Sequence, residues 1–133
     1  MIALLLVGHA AWMSLPAQRL QWIAQAELPS ATNIRVTGVT GITMMEWVAV
    51  CQIDETAFLD YCREGGLKVE EKIEILKQVR QGSLVKHVEW VAGLPDFADT
   101  LQFRRHFDDR PFNGLFVLYD RSSGTMLLHL RNG

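Results

Sequence analysis

Two consecutive segments alternate apolar and polar residues, and this period of two predicts a pair of β-strands. They run over residues 33–39 and 43–53, and Thr40-Gly41 supplies the turn between them. One face of the second segment is wholly apolar, whereas the opposite face mixes apolar and polar side chains. The apolar face is predicted to lie against the core: Met45, Trp47, Ala49, Cys51 and Ile53.

The last part of the chain predicts a β-hairpin. Residues 114–119 are apolar on both faces, as expected for a strand inside a sheet, and 125–130 form the returning strand. The turn over 120–124 contains Asp, Ser and Gly. Asp and Ser hydrogen-bond nearby backbone and Gly accepts a positive φ, so each residue type suits a turn. His129 in the second strand is interpreted as an outward-facing polar residue.

Helical spacing of apolar residues predicts helices over residues 17–27, 55–64 and 70–81. Asp54 is predicted to cap the second helix, and Gly65-Gly66 to end it. Alternation at the start of the third segment leaves a strand there as an alternative.

Two later segments have weaker patterns. Residues 83–91 fit either a helix or a strand, and 94–111 are predicted as a loop-rich segment with at most one short helix. Together, the elements predict an α+β fold, with an antiparallel sheet of about four strands and two to four helices packed on one face. This single domain is predicted to span residues 17–133. The glycine-rich turns of doubly wound nucleotide-binding folds are absent from the sequence.

The amino-terminal segment bears on the compartment of the protein. Residues 2–13 form a nearly unbroken apolar run, and the first charged side chain of the sequence is Arg19. A run of this length is typical of the core of a signal peptide and is short for a membrane span. No basic residue precedes it, and the small-residue pattern for cleavage is poor. Residues 1–16 are therefore interpreted as a signal or anchor segment, with a buried amino-terminal core helix as the alternative.

The amino-acid composition and net charge indicate which classes of binding partner to expect. At 133 residues, 49% apolar and 21% charged, the chain has the composition of a globular domain rather than a disordered one. With a net charge of -2 and no block of one sign, it is not expected to bind nucleic acid. The expected partners are another protein or a second copy of the chain in a homodimer, with membrane contact only through an amino-terminal anchor.

The two cysteines, Cys51 and Cys62, lie on either side of the predicted strand-to-helix turn at Asp54. If the helix folds back over the sheet, the two thiols arrive at similar heights, which makes a disulfide a candidate. Two buried free thiols are the alternative. Export favours the bridge, whereas a cytoplasmic location favours the thiols.

The sequence contains none of the established motifs for catalysis, metal binding or cofactor binding. Residues 103–112 interleave aromatic residues with three arginines and a histidine, and they are interpreted as a surface loop whose charges pair internally. An enzyme site assembled by the fold, such as that of a small hydrolase, is the alternative. Its candidates are His87, His106, Asp108 and Asp109. No catalytic or metal-ligating residue and no cofactor is otherwise predicted, and the ligand-binding residues stay undetermined.

Two short phrases resemble those of small bacterial envelope proteins. They are Leu28-Pro29-Ser30-Ala31-Thr32-Asn33-Ile34, near the start of the folded region, and Tyr119-Asp120-Arg121-Ser122-Ser123-Gly124, in the hairpin. The resemblance implies a periplasmic, envelope or secreted location and implies no activity. The sequence therefore predicts a non-enzymatic exported domain that binds a protein partner or a small apolar ligand. A small enzyme and a cytoplasmic location are the alternatives.

Overall fold

A computed structural model describes residues 15–133, so nearly all of the segment predicted as a signal, anchor or core helix lies outside the described residues. The strands are β1 (Thr32–Thr40), β2 (Met45–Gln52), β3 (Lys68–Val69), β4 (Thr100–His106), β5 (Gly114–Asp120) and β6 (Thr125–Asn132). The helices are α1 (Pro16–Ala24), α2 (Glu55–Glu64), α3 (Ile75–Gly82) and α4 (Glu89–Ala92). None of these helices has the length and apolar character needed to cross a membrane.

The predicted α+β class with an antiparallel sheet is confirmed, but the sheet has six strands rather than about four. The strand order is β1-β2-β6-β5-β4-β3, and all neighbours are antiparallel. The four strands predicted from the sequence correspond to β1, β2, β5 and β6. The additional strands are β3 and β4, and β4 lies inside the segment predicted to be loop-rich.

The sequence pattern did not predict β4, because this strand directs polar side chains towards a face of the sheet that other parts of the protein cover. The side-chain oxygen of Gln102 accepts a hydrogen bond from the Ile75 N–H, and its amide donates to the carbonyl oxygen of Ile73, each at 2.8 Å. Arg104 is 4% exposed and donates to the carbonyl oxygen of Asn113 at 2.6 Å. Backbone groups hydrogen-bond to the Gln102 amide and to one terminal nitrogen of Arg104, so polar residues occupy positions where strands usually carry apolar ones.

The helices pack on both faces of the sheet, so the predicted packing on one face is wrong. α1 and α2 cover the face that carries Leu115 and Val117, whereas α3 and α4 cover the face that carries Phe116 and Leu118. Every residue of β5 is buried. Two covered faces explain why the sequence of this strand is apolar throughout instead of alternating.

α2 begins where the sequence predicts. The Asp54 side chain accepts a hydrogen bond from the Ala57 N–H at 2.8 Å and caps the helix. Phe58 of α2 stacks on Tyr119, with ring centroids 4.6 Å apart. The Tyr119 hydroxyl donates to the carbonyl oxygen of Ile53 at 2.8 Å. These contacts fasten α2 and the end of β2 to the centre of the sheet.

The two cysteines are free and buried, so the candidate disulfide between Cys51 and Cys62 is not formed. Both side chains belong to the core between the sheet and α2. A disulfide needs Cα atoms about 4.4–6.8 Å apart with the Cβ atoms directed at each other, and a shared place in an apolar core does not by itself supply this geometry. Burial raises the pKa of each thiol to about 12. Both are therefore protonated near neutral pH and act as small apolar side chains.

We expect the native protein to show no reactive thiol towards Ellman's reagent at mildly alkaline pH, because both thiols are buried and protonated. Unfolding in guanidinium chloride without a reductant should then release two thiols per chain. Recovery of no thiol after unfolding would show that a disulfide had formed and would contradict the structure.

Candidate functional site

A charged cluster lies inside the layer between the sheet and the pair α3 and α4. Glu46 of β2 stands directly opposite Arg131 of β6, and His129 is two residues before Arg131 on the same strand. Alternate residues of a strand share a face, so all three side chains project towards α3 and α4. Glu46 and His129 are both 0% exposed. A buried carboxylate is unfavourable unless partners replace its water, so its contacts decide its role.

The Glu46 carboxylate receives contacts from three directions. Its Oε2 lies 2.8 Å from Nε of Arg131 and 3.3 Å from Nε2 of His129, both at ion-pair distance but without hydrogen-bond alignment. Its Oε1 accepts a hydrogen bond from the backbone N–H of Leu84, in the segment that follows α3. The carboxylate thus joins two strands of the sheet to the connection between α3 and α4.

The second nitrogen of His129 contacts α3. Nδ1 lies 2.8 Å from the side-chain amide nitrogen of Gln78. An amide nitrogen only donates, so Nδ1 is the acceptor and the neutral ring carries its proton on Nε2, facing Glu46. Gln78, His129, Glu46 and Arg131 therefore form a continuous chain of polar contacts.

For both Glu46 and His129, burial shifts the pKa in one direction and the neighbouring polar groups shift it in the other. Burial lowers the pKa of His129, the contact with Glu46 raises it, and the net result lies below the ordinary value of 6.5. Burial raises the pKa of Glu46, but His129, the Leu84 N–H and Arg131 together hold it below 4.5. Near neutral pH the cluster therefore holds an ionised carboxylate and a neutral imidazole.

A groove of about 710 Å³ opens on the solvent side of this cluster. Gln78 and Arg131 line it, so both ends of the polar chain reach the groove while Glu46 and His129 lie beneath its surface. The other lining residues come from α3, from the segment before it and from the loop before β5: Lys72, Ile73, Glu74, Lys77, Gln81, Gly82 and Phe112. Its volume falls within the range of small-molecule sites in proteins.

The groove carries a small positive charge and an apolar wall. Lys72, Lys77 and Arg131 contribute three positive charges, whereas Glu74 and the underlying Glu46 contribute two negative ones. Phe112 is 55% exposed, and its ring centroid lies 5.9 Å from the Arg131 guanidinium carbon. Arg131 uses Nε towards Glu46, and among residues 15–133 no acceptor is hydrogen-bonded to its two terminal nitrogens.

His129 and Arg131 are placed differently with respect to the groove. His129 does not line the groove, and both of its ring nitrogens face partners within the protein. Arg131, in contrast, presents a fixed guanidinium group to the groove. Within the described part of the chain, no three His, Cys, Asp or Glu side chains are grouped closely enough to hold a metal ion.

The structure does not bring the hypothetical hydrolase residues together in one cleft. Asp108 lies 2.6 Å from the Arg110 guanidinium and 3.1 Å from the Asn113 amide, and Arg110 lowers its pKa to about 2. The predicted internal pairing is found for Arg110 and Asp108, but residues 103–106 belong to β4 rather than to a surface loop, and Arg104 is buried. His106 lines a different groove, and His87 is exposed in the turn after α3.

Sequence reasoning missed both members of the buried pair. His129 was predicted to face outward, which is wrong because its side chain is buried, with Nδ1 hydrogen-bonded to Gln78 and Nε2 lying 3.3 Å from the Glu46 carboxylate. The feature of the sequence that could have indicated this buried pair is Glu46, which lies between apolar neighbours on the mixed face of β2. Its pairing with a histidine and an arginine more than 80 residues later depends on the strand order, which alternation does not reveal.

No protein-family model matches this chain, and neither the curated proteins nor the solved structures contain a significant match. The fold and the geometry of the groove therefore carry the functional argument.

We expect Glu46→Gln to lower the free energy of unfolding by about 3 kcal/mol or more, because Arg131 and His129 lose a buried ionised partner. Urea unfolding at neutral pH measures this change. Glu55→Gln is the matched control, because its pair with Arg121 is 44% exposed on both sides. It should cost less than about 1 kcal/mol. Equal effects of the two substitutions would contradict a special role for Glu46.

Stability should fall as the pH drops below the ordinary histidine pKa of 6.5. The folded protein resists protonation of His129, whereas the unfolded chain accepts the proton, so acid favours unfolding. Glu46 adds a further loss of stability as the pH falls through its ordinary pKa of 4.5, where the unfolded carboxylate takes up its proton. Urea unfolding between about pH 7.5 and 5.5 therefore isolates the histidine contribution.

The matched variants for this measurement are His129→Asn and His87→Asn. We expect His129→Asn to have a shallower loss of stability with falling pH than the wild type. His87→Asn, at an exposed position, should retain the wild-type slope. An unchanged slope in His129→Asn would show that the buried imidazole is not the group responsible.

Proposed function

We propose that this protein is a non-enzymatic, exported binding domain whose ligand occupies the groove beside α3. The ligand class is a small molecule with an apolar body and one anionic head group. The observation that carries this proposal is the placement of Arg131, which a buried carboxylate orients at the wall of an open groove. The envelope resemblance of the sequence supports the exported location.

The anionic head group follows from the charges around Arg131. A guanidinium group binds carboxylates and phosphates through paired N–H donors, and the two terminal nitrogens of Arg131 are directed to no internal acceptor in residues 15–133. Glu46 restrains the side chain through Nε, which reduces the conformational entropy lost on binding. Lys72 and Lys77 add positive charge to the same groove.

The apolar body follows from the groove wall. Phe112 and Ile73 line the groove, and Phe112 leaves more than half of its surface in water. When a ligand covers such a ring, the burial contributes about 25 cal/mol of favourable free energy per Å² of apolar surface removed from water. A ligand with an apolar body and an anionic head group gains affinity from both the charge interaction and the apolar contact. A purely apolar or purely ionic ligand gains affinity from only one of these interactions.

The buried histidine favours binding over the hydrolase alternative. A general base must reach the proton that it removes, directly or through one water. His129 is 0% exposed and lies beneath Gln78 and Arg131, so it holds the groove residues in place.

We expect octanoate to bind in the groove and neutral octanol to bind at least tenfold more weakly, since only octanoate supplies the anion. Titration of the ¹⁵N-labelled full chain, followed by amide chemical shifts, measures both affinities and locates the site. The largest shifts should come from α3, Phe112 and Arg131. No shift with octanoate, or equal affinity for both probes, would overturn the proposal.

Two variants sharpen this titration. Lys77→Gln removes an exposed charge without touching Glu46, and it should weaken octanoate binding several-fold with little change in stability. Arg131→Gln should weaken it by tenfold or more, with folding checked by thermal unfolding. The control is Arg121→Gln, which alters an exposed ion pair outside the groove and should leave the affinity unchanged.

A further inference from the structure

Among residues 15–133, β1 forms a long edge of the sheet with no strand on its outer side. It is nine residues long and, within the described part of the chain, pairs only with β2, whereas β3 at the opposite edge has two residues. Backbone N–H and C=O groups on the outer side of an edge strand lack partners in the sheet and can pair with another strand. β3 covers Phe103 and Arg104 of the seven-residue β4, so the opposite edge is divided between these two strands, whereas β1 is one continuous strand.

The regular part of β1 lacks the residues that usually block an edge. Proteins protect edge strands with proline, lysine, inward-pointing charges or bulges. β1 has an irregularity between Thr32 and Arg35, but from Arg35 to Thr40 it pairs with β2 without interruption. This six-residue stretch contains no Pro, Lys, Asp or Glu, and its one charge, Arg35, lies at its end.

Exposed apolar side chains extend this edge at the other end. Val39 is 44% exposed, and in the loop that follows, Ile42 is fully exposed and Met44 is 38% exposed. Apolar residues grouped at one place on a surface are typical of protein interfaces. The edge thus combines unpaired backbone with apolar contact area.

We propose that a second copy of this chain pairs with β1, antiparallel and about a twofold axis at Thr37. Such pairing uses the same strand twice and joins two six-stranded sheets into one continuous sheet. With the axis at Thr37, residues equally far before and after Thr37 lie opposite each other across the interface. Arg35 therefore faces the partner's Val39. The two positions lie on the same face of the sheet, as antiparallel pairs require.

The charge distribution of β1 suits this register. The two arginines of the dimer lie at opposite ends of the paired segment, so like charges do not face each other. The aliphatic part of Arg35 packs against the partner's Val39, while its guanidinium group stays in water. A six-residue edge is only about 20 Å long. The dimer is therefore expected to be reversible and to depend on concentration.

Sedimentation equilibrium of the full chain over the micromolar range tests this proposal. The expected result is a reversible shift from the 15.1-kDa chain to twice that mass. Val39→Lys places a second positive charge against the partner's Arg35 and should raise the dissociation constant at least tenfold. Val69→Lys is the matched control, because it changes a 65% exposed valine on the opposite edge and should leave the dimer intact.

A charge-reversal variant tests the register itself. Arg35→Glu combined with Val39→Lys places opposite charges across the interface and should restore dimerisation that Val39→Lys alone weakens. Circular dichroism and thermal unfolding verify that each variant is folded. A chain that stays monomeric at all concentrations, a dimer unaffected by Val39→Lys, or a dimer that the double variant fails to restore would each overturn the proposal.

Discussion

The buried carboxylate of Glu46 is the constraint on which the α3–α4 half of this molecule depends. It lies where water is excluded, so the protein must supply its partners, and it takes them from three places: Arg131, His129 and the Leu84 N–H. Removing any one leaves charge or polarity unpaired in an apolar layer. The sheet and the connection between α3 and α4 are therefore held in one arrangement.

The same constraint shapes the groove. Arg131 is held through Nε and Gln78 through the imidazole of His129, so the polar positions of the groove are oriented from beneath. The residues that a ligand would contact are on the surface, whereas the residues that fix their geometry are buried. Supporting contacts of this kind reduce the entropy lost when a ligand binds.

The sheet separates two surfaces with different chemistry. The groove lies over the α3 side and offers charge beside an aromatic ring, which suits a small amphipathic anion. The β1 edge offers unpaired backbone and exposed apolar side chains, which suit another strand. The central strands β5 and β6 are buried on both faces, and they hold the groove and the β1 edge in fixed positions relative to each other.

Local patterns determined the α+β class, the strands β1, β2, β5 and β6, and the start of α2 at Asp54, because alternation, turn residues and helix caps act over a few neighbouring residues. Tertiary structure decided which polar residues are buried. β4 carries Gln102 and Arg104 towards a covered layer, where backbone groups of other segments hydrogen-bond to them. Glu46 meets Leu84 from 38 residues away, and His129 meets Gln78 from 51. A polar residue is buried only when the fold brings it a partner, and no local pattern specifies a partner so far along the chain.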